Sequence, residues 1–327
     1  MKKNNLRRDN TKNGSSSLVN YEPIQNDQRQ PKKHLKQMEI IISTYNIHRC
    51  IGTDGHKDIE RVLCVLRDIN SDIIALQEVE TRLGGRDDED QATYLGKKLN
   101  MKVISGPTLR KDDEHYGNAL LVKHSIDTEV HHDISLPGRE PRAAIDVTLD
   151  VGEGTYLRVL NTHLGLKRGE RHRQIDKLIS LLKHKPERPL VLAGDFNSWL
   201  PFFGTIKKLD KVLGDSPNRT DSKITSGFVS RFIPSFFIAC LLNLLKYSPS
   251  SRLADWTPQR PRSYNLIIES ALRTFPYLRT YPSFFPLLGL DRMWISPPKI
   301  AKKKWAYNTR LSRKASDHLP LIATLNL

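Results

Sequence analysis

The stretch "LVLAGDFNSW", Leu190–Trp199, sets four apolar residues and a glycine ahead of Asp195, Phe196 and Asn197. Its apolar start has the length and texture of a buried strand. Residues two apart share a face in extended structure, so Asp195 and Asn197 can point into one pocket. The same letters also suit a strand closed by an Asx turn. Taken alone, the stretch leaves both readings open.

Other strand-like runs end the same way. "EIIISTYNI" is apolar and β-branched and carries Asn46; "SDIIALQEVE" carries Glu78. "TYLRVLNTHL" places Asn161 and His163 two apart, repeating the Asp195/Asn197 spacing. "LDRMWIS" begins with Asp291 beside its first apolar residue, and "SDHLP" puts Asp317 and His318 just before the run "PLIATLNL". A single such residue is usually solvated. A set of them at the ends of buried strands points to a site, because open sheet ends are where sites are built.

Between these runs the periodicity predicts helices. In "KDIERVLCVLRDI", Ile59, Val62, Leu63, Leu66 and Ile69 recur at helical spacing. Further helices are expected around Asp90–Leu99 and over Lys167–His184. Short strands are expected at "MKVIS", "GNALLVK", "TEVHHDISL" and "RAAIDVTLD", punctuated by Gly, Pro and Asp. The total is about ten strands in a mixed α/β domain over 39–327. Several strands are apolar throughout, so both of their faces should be covered.

Residues 1–38 hold nine Lys/Arg against three Asp/Glu, are polar and aperiodic, and read as a disordered tail. Residues 216–286 are rich in Pro, Ser, Arg and aromatics and read as an insertion. Inside it, Phe228–Tyr247 has 14 apolar residues of 20, interrupted by Arg231, Pro234, Asn243 and Lys246. It reads as a helix packed on the domain or lying on an anionic membrane surface, since its uninterrupted part is too short to span a bilayer. From Lys299 to Lys314 there are seven basic residues and no acid, which suits a solvated hairpin or an anion-facing surface.

The 327 residues can bury a large core without disulfides. Three scattered cysteines make neither a disulfide framework nor a zinc cluster, and a reducing, cytoplasmic setting is expected. The N-terminal stretch lacks the apolar segment of a secretory signal, and no run of 18 apolar residues predicts a spanning helix. A net charge of +16 favours anionic partners: nucleic acid, phospholipid headgroups or phosphorylated small molecules. The Glu, Asp and Asn oxygens suit Mg²⁺ or Mn²⁺, and the histidines with carboxylates beside them suit proton transfer or oxyanion stabilisation. No Gly-rich phosphate loop is present, so nucleotide-driven phosphoryl transfer is not expected.

The ordered series "TYNIH", "LQEV", "YGNALL", "GREPRAA", "NTHLG", "GDFNSW", "LDRMWIS" and "SDHLP" resembles the endonuclease/exonuclease/phosphatase superfamily. The resemblance implies a four-layer α/β sandwich, deoxyribonuclease I-like, with two mixed sheets face to face and helices outside. It also implies a metal-dependent phosphoesterase. On that pattern Glu78 would be the principal metal ligand, with Asn46 assisting and Asp317 beside the ion. Asp195 would orient or deprotonate the attacking water, and Asn197 would steady the phosphate. His163 would contact a phosphate oxygen, and His318, held in its tautomer by Asp291, would stabilise the phosphorus centre or act as acid/base. Arg142 and Tyr116, or Asn118 in place of Tyr116, would bind phosphate. The expected substrate is a phosphodiester, nucleic acid or phospholipid, acted on by a monomer. The alternatives are a soluble or inositol phosphomonoester, or a catalytically idle binding module of the same fold.

Overall fold

The computed structural model describes residues 38–82, 90–111, 114–183, 188–198, 205–214 and 278–327. The expected tail (apart from Met38), most of the expected insertion and the apolar segment 228–247 lie outside the described residues. Residues 278–286 are described and belong to the site, as shown below.

Eleven strands are found among the described residues, in two sheets. The first holds β1 (Glu39–Asn46), β2 (Ile73–Arg82), β3 (Lys102–Lys111), β4 (Glu114–Val122), β10 (Ala301–Ala306) and β11 (Leu321–Asn326), in the order β10-β11-β1-β2-β4-β3. The second holds β5 (Ser125–Asp133), β6 (Ala143–Gly152), β7 (Thr155–His163), β8 (Leu190–Asp195) and β9 (Asp291–Ser296), in that order. Each sheet has one parallel pair, β1–β2 in the first and β7–β8 in the second. Each pair is joined through a helix, α1 (Ile59–Ile69) and α3 (Arg168–Lys183) respectively. All the remaining pairs are antiparallel, so both sheets are mixed.

Helix α1 starts where the Asp58 carboxylate accepts from the Glu60 and Arg61 backbone N–H groups. It stops at Asn70, whose left-handed conformation is one that asparagine tolerates. Helix α2 (Gln91–Leu99) repeats the design with Asp90 and Asn100. Both bury one face against the first sheet: Val62, Leu66 and Leu95 pack with Tyr45, Leu76 and Leu121. On the other side, Ile175 and Leu178 of α3, with Ile206 and Leu209 of α4 (Thr205–Leu213), pack on Leu160, Leu192 and Trp294 of the second sheet. Between the sheets, Ile42, Ile73 and Leu120 meet Ile145, Val159 and Val191. The result is the expected four-layer sandwich.

This core supports strain elsewhere. Each fully buried aliphatic side chain contributes roughly 2 kcal/mol, whereas a residue in a sparsely populated conformation costs about 1–3 kcal/mol. A few strained positions at the sheet ends are therefore affordable.

The sequence reading differs from the structure in two places. The basic run Lys299–Lys314 is not a hairpin: it forms the edge strand β10 and then a short helix, α5 (Arg310–Ala315), capped by Thr309. Helix α4 also went unforeseen, although Ile206, Leu209 and Leu213 recur in it at helical spacing. His131 and His132 lie on β5, a largely exposed edge strand within the strand expected at "TEVHHDISL".

Asn161 is a different kind of polar residue from its neighbours. Its Nδ2 donates to the carbonyls of Leu76 and Ala119 in the opposite sheet, and its Oδ1 accepts from Gln77 Nε2. It fastens the two sheets just beneath the site. The glycine of "LVLAGD" also has a structural reason. Gly194 has φ +144°, and a Cβ there would lie 1.8 Å from the Thr162 carbonyl oxygen on the paired strand. Gly194→Ala is expected to destabilise the protein by about 3 kcal/mol or more, well above a typical substitution. Urea unfolding checks this; a loss within 1 kcal/mol (about a typical surface substitution) counts against it.

Candidate active site

The topology brings the polar strand ends together. Strands β1, β2, β7 and β8 run their carboxyl ends to one edge of the sandwich, while β9 and β11 begin there in the antiparallel sense. Register places His163, Asp195 and Asp291 side by side across three neighbouring strands. In the other sheet, Asn46 pairs with Gln77, one residue short of Glu78.

Glu78 sits in a bulge. The β2–β4 register shifts between Leu76 and Val79, and Glu78 takes φ +56°, which a non-glycine residue rarely adopts. The bulge turns the carboxylate toward Asn46, whose Nδ2 donates to Glu78 Oε1 at 3.0 Å and to Asp195 Oδ2 at 3.1 Å. Asn46 Oδ1 accepts from the His48 backbone N–H, which fixes the amide's orientation. One carboxamide thus ties the two sheets' carboxylates together. The Tyr116 hydroxyl also bonds Glu78, and burial followed by that carboxylate pushes its pKa well up. Asp317 stays partly exposed, with Oδ1 at 3.7 Å from His48 Nδ1.

Asp195 is held from three directions. Its Oδ1 accepts from the Asn197 backbone N–H at 2.8 Å, and its Oδ2 lies 3.5 Å from His163 Nε2 and 3.8 Å from His318 Nε2. Burial raises its pKa, and the two histidines oppose that. Asn197, at φ +48°, directs Nδ2 to the Leu164 carbonyl and to His163 Nε2. Arg142 Nη1 lies 3.2 Å from His163 Nδ1, and its Nη2 donates to Glu140. Asn118 is more remote in role: its amide donates to the Ala143 carbonyl.

His318 and Asp291 form a pair, Nδ1 to Oδ2 at 2.8 Å, buried from solvent. Burial alone would discharge this imidazole. The carboxylates of Asp291 and Asp195 outweigh it and raise its pKa well above the usual histidine value. His163 behaves oppositely. Burial pushes its pKa down to about 3 against the pull of Asp195, and Arg142 and His318 add to the depression. An unfolded histidine takes its proton near 6.5, so between that pH and about 3 the unfolded chain binds the extra proton. Stability therefore falls as pH falls through this window, by about 1.4 kcal/mol per unit from this group. His163→Gln should flatten the fall in urea midpoint between pH 6.5 and 4 relative to the wild type. An unchanged slope would show that His163 is not the group responsible.

All ten sequence-derived residues thus lie at this edge, linked by the contacts above. Two residues were missed. Tyr281 packs its ring 4.9 Å from that of His318, and Ser316 Oγ donates to the Asn46 carbonyl while accepting from the His318 N–H. Ser316 belongs to the quoted "SDHLP", but a serine beside a histidine carries no distinctive signal. Tyr281 lay in a segment with no periodicity to place it.

The donor set fits a hard divalent cation. Asp195, Asp291 and His318 each offer one atom within 4.8 Å of the others, and could hold one. The buried Asp291 Oδ1 has no hydrogen-bond partner among the described residues; neither does Arg142 Nε, on the opposite side of the charge balance.

Comparison with known proteins agrees with this geometry. The profile of the Endonuclease/Exonuclease/phosphatase family matches residues 43–318. The chain belongs to that family. Members generally hydrolyse phosphoester bonds and generally use divalent metals. The chain is similar to the uncharacterized protein YbhP of Escherichia coli K12, 24% identical over 305 residues, covering 89% of this chain and 98% of YbhP. Its fold is similar to that of a family protein from Leptotrichia buccalis, with TM-score 0.57 and 15% identity, covering 88% of this chain and all (100%) of that one. The human Nocturnin catalytic domain, solved with a bound sulfate anion, superposes with TM-score 0.56 at 18% identity, covering 89% of this chain and 98% of Nocturnin's.

Proposed function

We propose that this chain is a magnesium-dependent phosphodiesterase that activates water at Asp195. One observation carries the reading: the site divides into an acceptor-rich half and a donor-rich half that meet at that carboxylate. Glu78, Asp195, Asp291 and Asp317 supply oxygen acceptors, and Arg142, His163 and Asn197 crowd donors together. A neutral imidazole has one lone pair, yet both Arg142 Nη1 and Asn197 Nδ2 face His163. That surplus of donors suits an incoming anion, and the acceptor half suits a cation. A sulfate bound to a solved protein of this fold is consistent with the anion half.

Glu78, with Asn46 and Asp317 beside it, would hold Mg²⁺, which supplies Lewis-acid charge to a phosphoryl oxygen when bound. Asp195 takes the proton of the attacking water, its carboxylate fixed by Asn46 and by the Asn197 N–H. Arg142, His163 and Asn197 steady the phosphoryl oxygens. As the water oxygen bonds to phosphorus, the ester P–O bond breaks and the leaving oxygen takes a proton from solvent. His318 directs its Nδ1–H to Asp291 and its Nε2–H to the charge that develops on the phosphoryl group.

The test is a hydrolysis panel of plasmid DNA, phospholipids, inositol phosphates and bis(p-nitrophenyl) phosphate, with magnesium and with chelator. Diester hydrolysis that chelator abolishes is expected. Full activity in chelator would overturn the metal-dependent reading, and hydrolysis of monoesters alone would favour the phosphatase reading instead. Inertness toward every ester would leave an idle binding module. The few cysteines suit a reducing, cytoplasmic setting, and we propose that the enzyme acts as a monomer. No helix among the described residues is long and apolar enough to cross a membrane.

A further inference from the structure

Five large apolar side chains stand exposed among the described residues: Val130, Leu166, Val212, Phe284 and Phe285. Val130 and Val212 lie on β5 and α4. The other three flank the active site. Leu166, 66% exposed, comes three residues after His163, and Phe284, 54% exposed, comes three residues after Tyr281, whose ring lies against His318. Three residues span at most about 10 Å, so Leu166 and Phe284 stand near His163 and the Tyr281–His318 ring pair, with Phe285 next to Phe284.

Both loops are anchored rather than loose. Gly165 N–H donates to Gln174 of α3, and Arg171 donates to the carbonyls of Gly165 and Leu166. On the other rim, Ser283 N–H donates to the Asp317 carbonyl, and Ser283 Oγ bonds the Arg313 and Ser316 carbonyls. The Phe285 N–H closes a turn onto the Pro282 carbonyl, which puts Phe284 at its tip and Phe285 at its closing end, both exposed. Cations flank both tips. Lys167 and Arg168 follow Leu166 and are exposed; Arg310, Arg313 and Lys314 line an open cleft of about 510 Å³ together with Phe284, Asn308, Thr309 and Thr53. Lys314 pairs with Asp54, while Arg310 has no acidic partner among the described residues.

We propose that this rim is a membrane-docking surface that seats the active site on an anionic phospholipid bilayer, so that lipid headgroup phosphodiesters reach it. The catalytic part of this statement rests on the phosphodiesterase reading; the docking part does not. Apolar tips on two separate loops, each beside lysines or arginines, match the two layers of such a surface. The rings enter the acyl boundary while the cations meet the headgroup phosphates. A nucleic acid strand fits less well. Phe284 and Phe285 are consecutive at a tight turn, and stacking successive bases needs aromatic faces lined up along one groove. Insertion into a bilayer needs only that the rings protrude.

The experiment uses the full chain with vesicles of phosphatidylcholine alone or with 30% phosphatidylglycerol (roughly a physiological anionic fraction), read by co-sedimentation. Binding to the anionic vesicles alone is expected, weakening as salt rises. Phe284→Ser/Phe285→Ser should weaken it roughly tenfold or more, and Arg310→Gln/Arg313→Gln should weaken it and lessen the salt dependence. Phe284→Trp should be quenched by lipids brominated on the acyl chains. These side chains are exposed, so the variants should fold; thermal melting checks that, and the tryptophan variant gives a readout that does not depend on losing affinity. Unchanged vesicle binding in the phenylalanine pair, or no quenching, overturns the proposal. So does a phenylalanine pair that loses single-stranded DNA binding but keeps vesicle binding. Wild-type hydrolysis of bis(p-nitrophenyl) phosphate without vesicles tests the catalytic reading separately. Hydrolysis without vesicle binding defeats the docking surface alone, and vesicle binding without hydrolysis of any ester defeats the catalytic reading alone.

Discussion

Glu78→Gln is expected to lower metal-dependent kcat/KM on the order of 10³-fold while leaving the melting temperature nearly unchanged. The substitution keeps the side chain's size and an oxygen able to accept from Asn46 Nδ2, so the bulge and its hydrogen bond can survive. What it removes is the negative charge that a hard cation needs. The structure holds this carboxylate in an uncommon left-handed conformation, which repays its strain only if the direction of the side chain matters. A second readout is manganese affinity, measured by isothermal titration in the absence of substrate. Wild-type affinity in Glu78→Gln would mean that the ion rests on the Asp195–Asp291–His318 group instead, which also offers donors at suitable spacing. Retained turnover with weakened manganese binding would separate metal anchoring from catalysis and count against Glu78 as the catalytic anchor.

The layers were legible because two periodicities dominate the chain. Continuous apolar strands such as "LVLAG" require cover on both faces, and the spacing of Val62, Leu63, Leu66 and Ile69 supplies a helix to provide it. The site was legible for a related reason: a carboxylate at the end of a buried strand stands out against its apolar neighbours. Whether such a residue faces the site or the sheet interface depends on geometry that letters do not carry. Asn161 and His163 have the same spacing and strand, yet one fastens two sheets and the other faces Arg142 and Asn197. Glu78 reaches Asn46 only through a bulge, and a bulge leaves no periodic trace. Tyr281 and Ser316 act through tertiary contacts with His318 from aperiodic segments. The run Lys299–Lys314 misled for the opposite reason, since its charges hide an edge strand whose outward side chains are free to be basic.

The last prediction concerns proton transfer. Asp195→Asn and His318→Gln are each expected to reduce kcat on the order of 10²-fold or more, with KM changed by no more than about threefold. Asparagine keeps one oxygen to accept from the Asn197 N–H that shapes the strand end, gives up the acceptor that met Asn46 Nδ2, and cannot take a proton from water. Glutamine can still donate to Asp291 but brings no positive charge. The pH profile adds a signature that lost packing would not imitate. Burial raises the Asp195 pKa above its ordinary 3.8, so activity that needs the ionised carboxylate falls as pH drops through that raised value. Asp291 and Asp195 hold the His318 imidazolium charged well above 6.5, so activity that needs the cation persists through neutrality and falls as pH climbs through the elevated value. His318→Gln should remove that alkaline limb and leave the acid limb in place, and Asp195→Asn should remove the acid limb. If either variant loses only KM, the residue binds substrate and nothing more. If the alkaline limb survives in His318→Gln, the titrating acid lies elsewhere, and the His318–Asp291 pair is a structural fastening of β9 to the loop before β11.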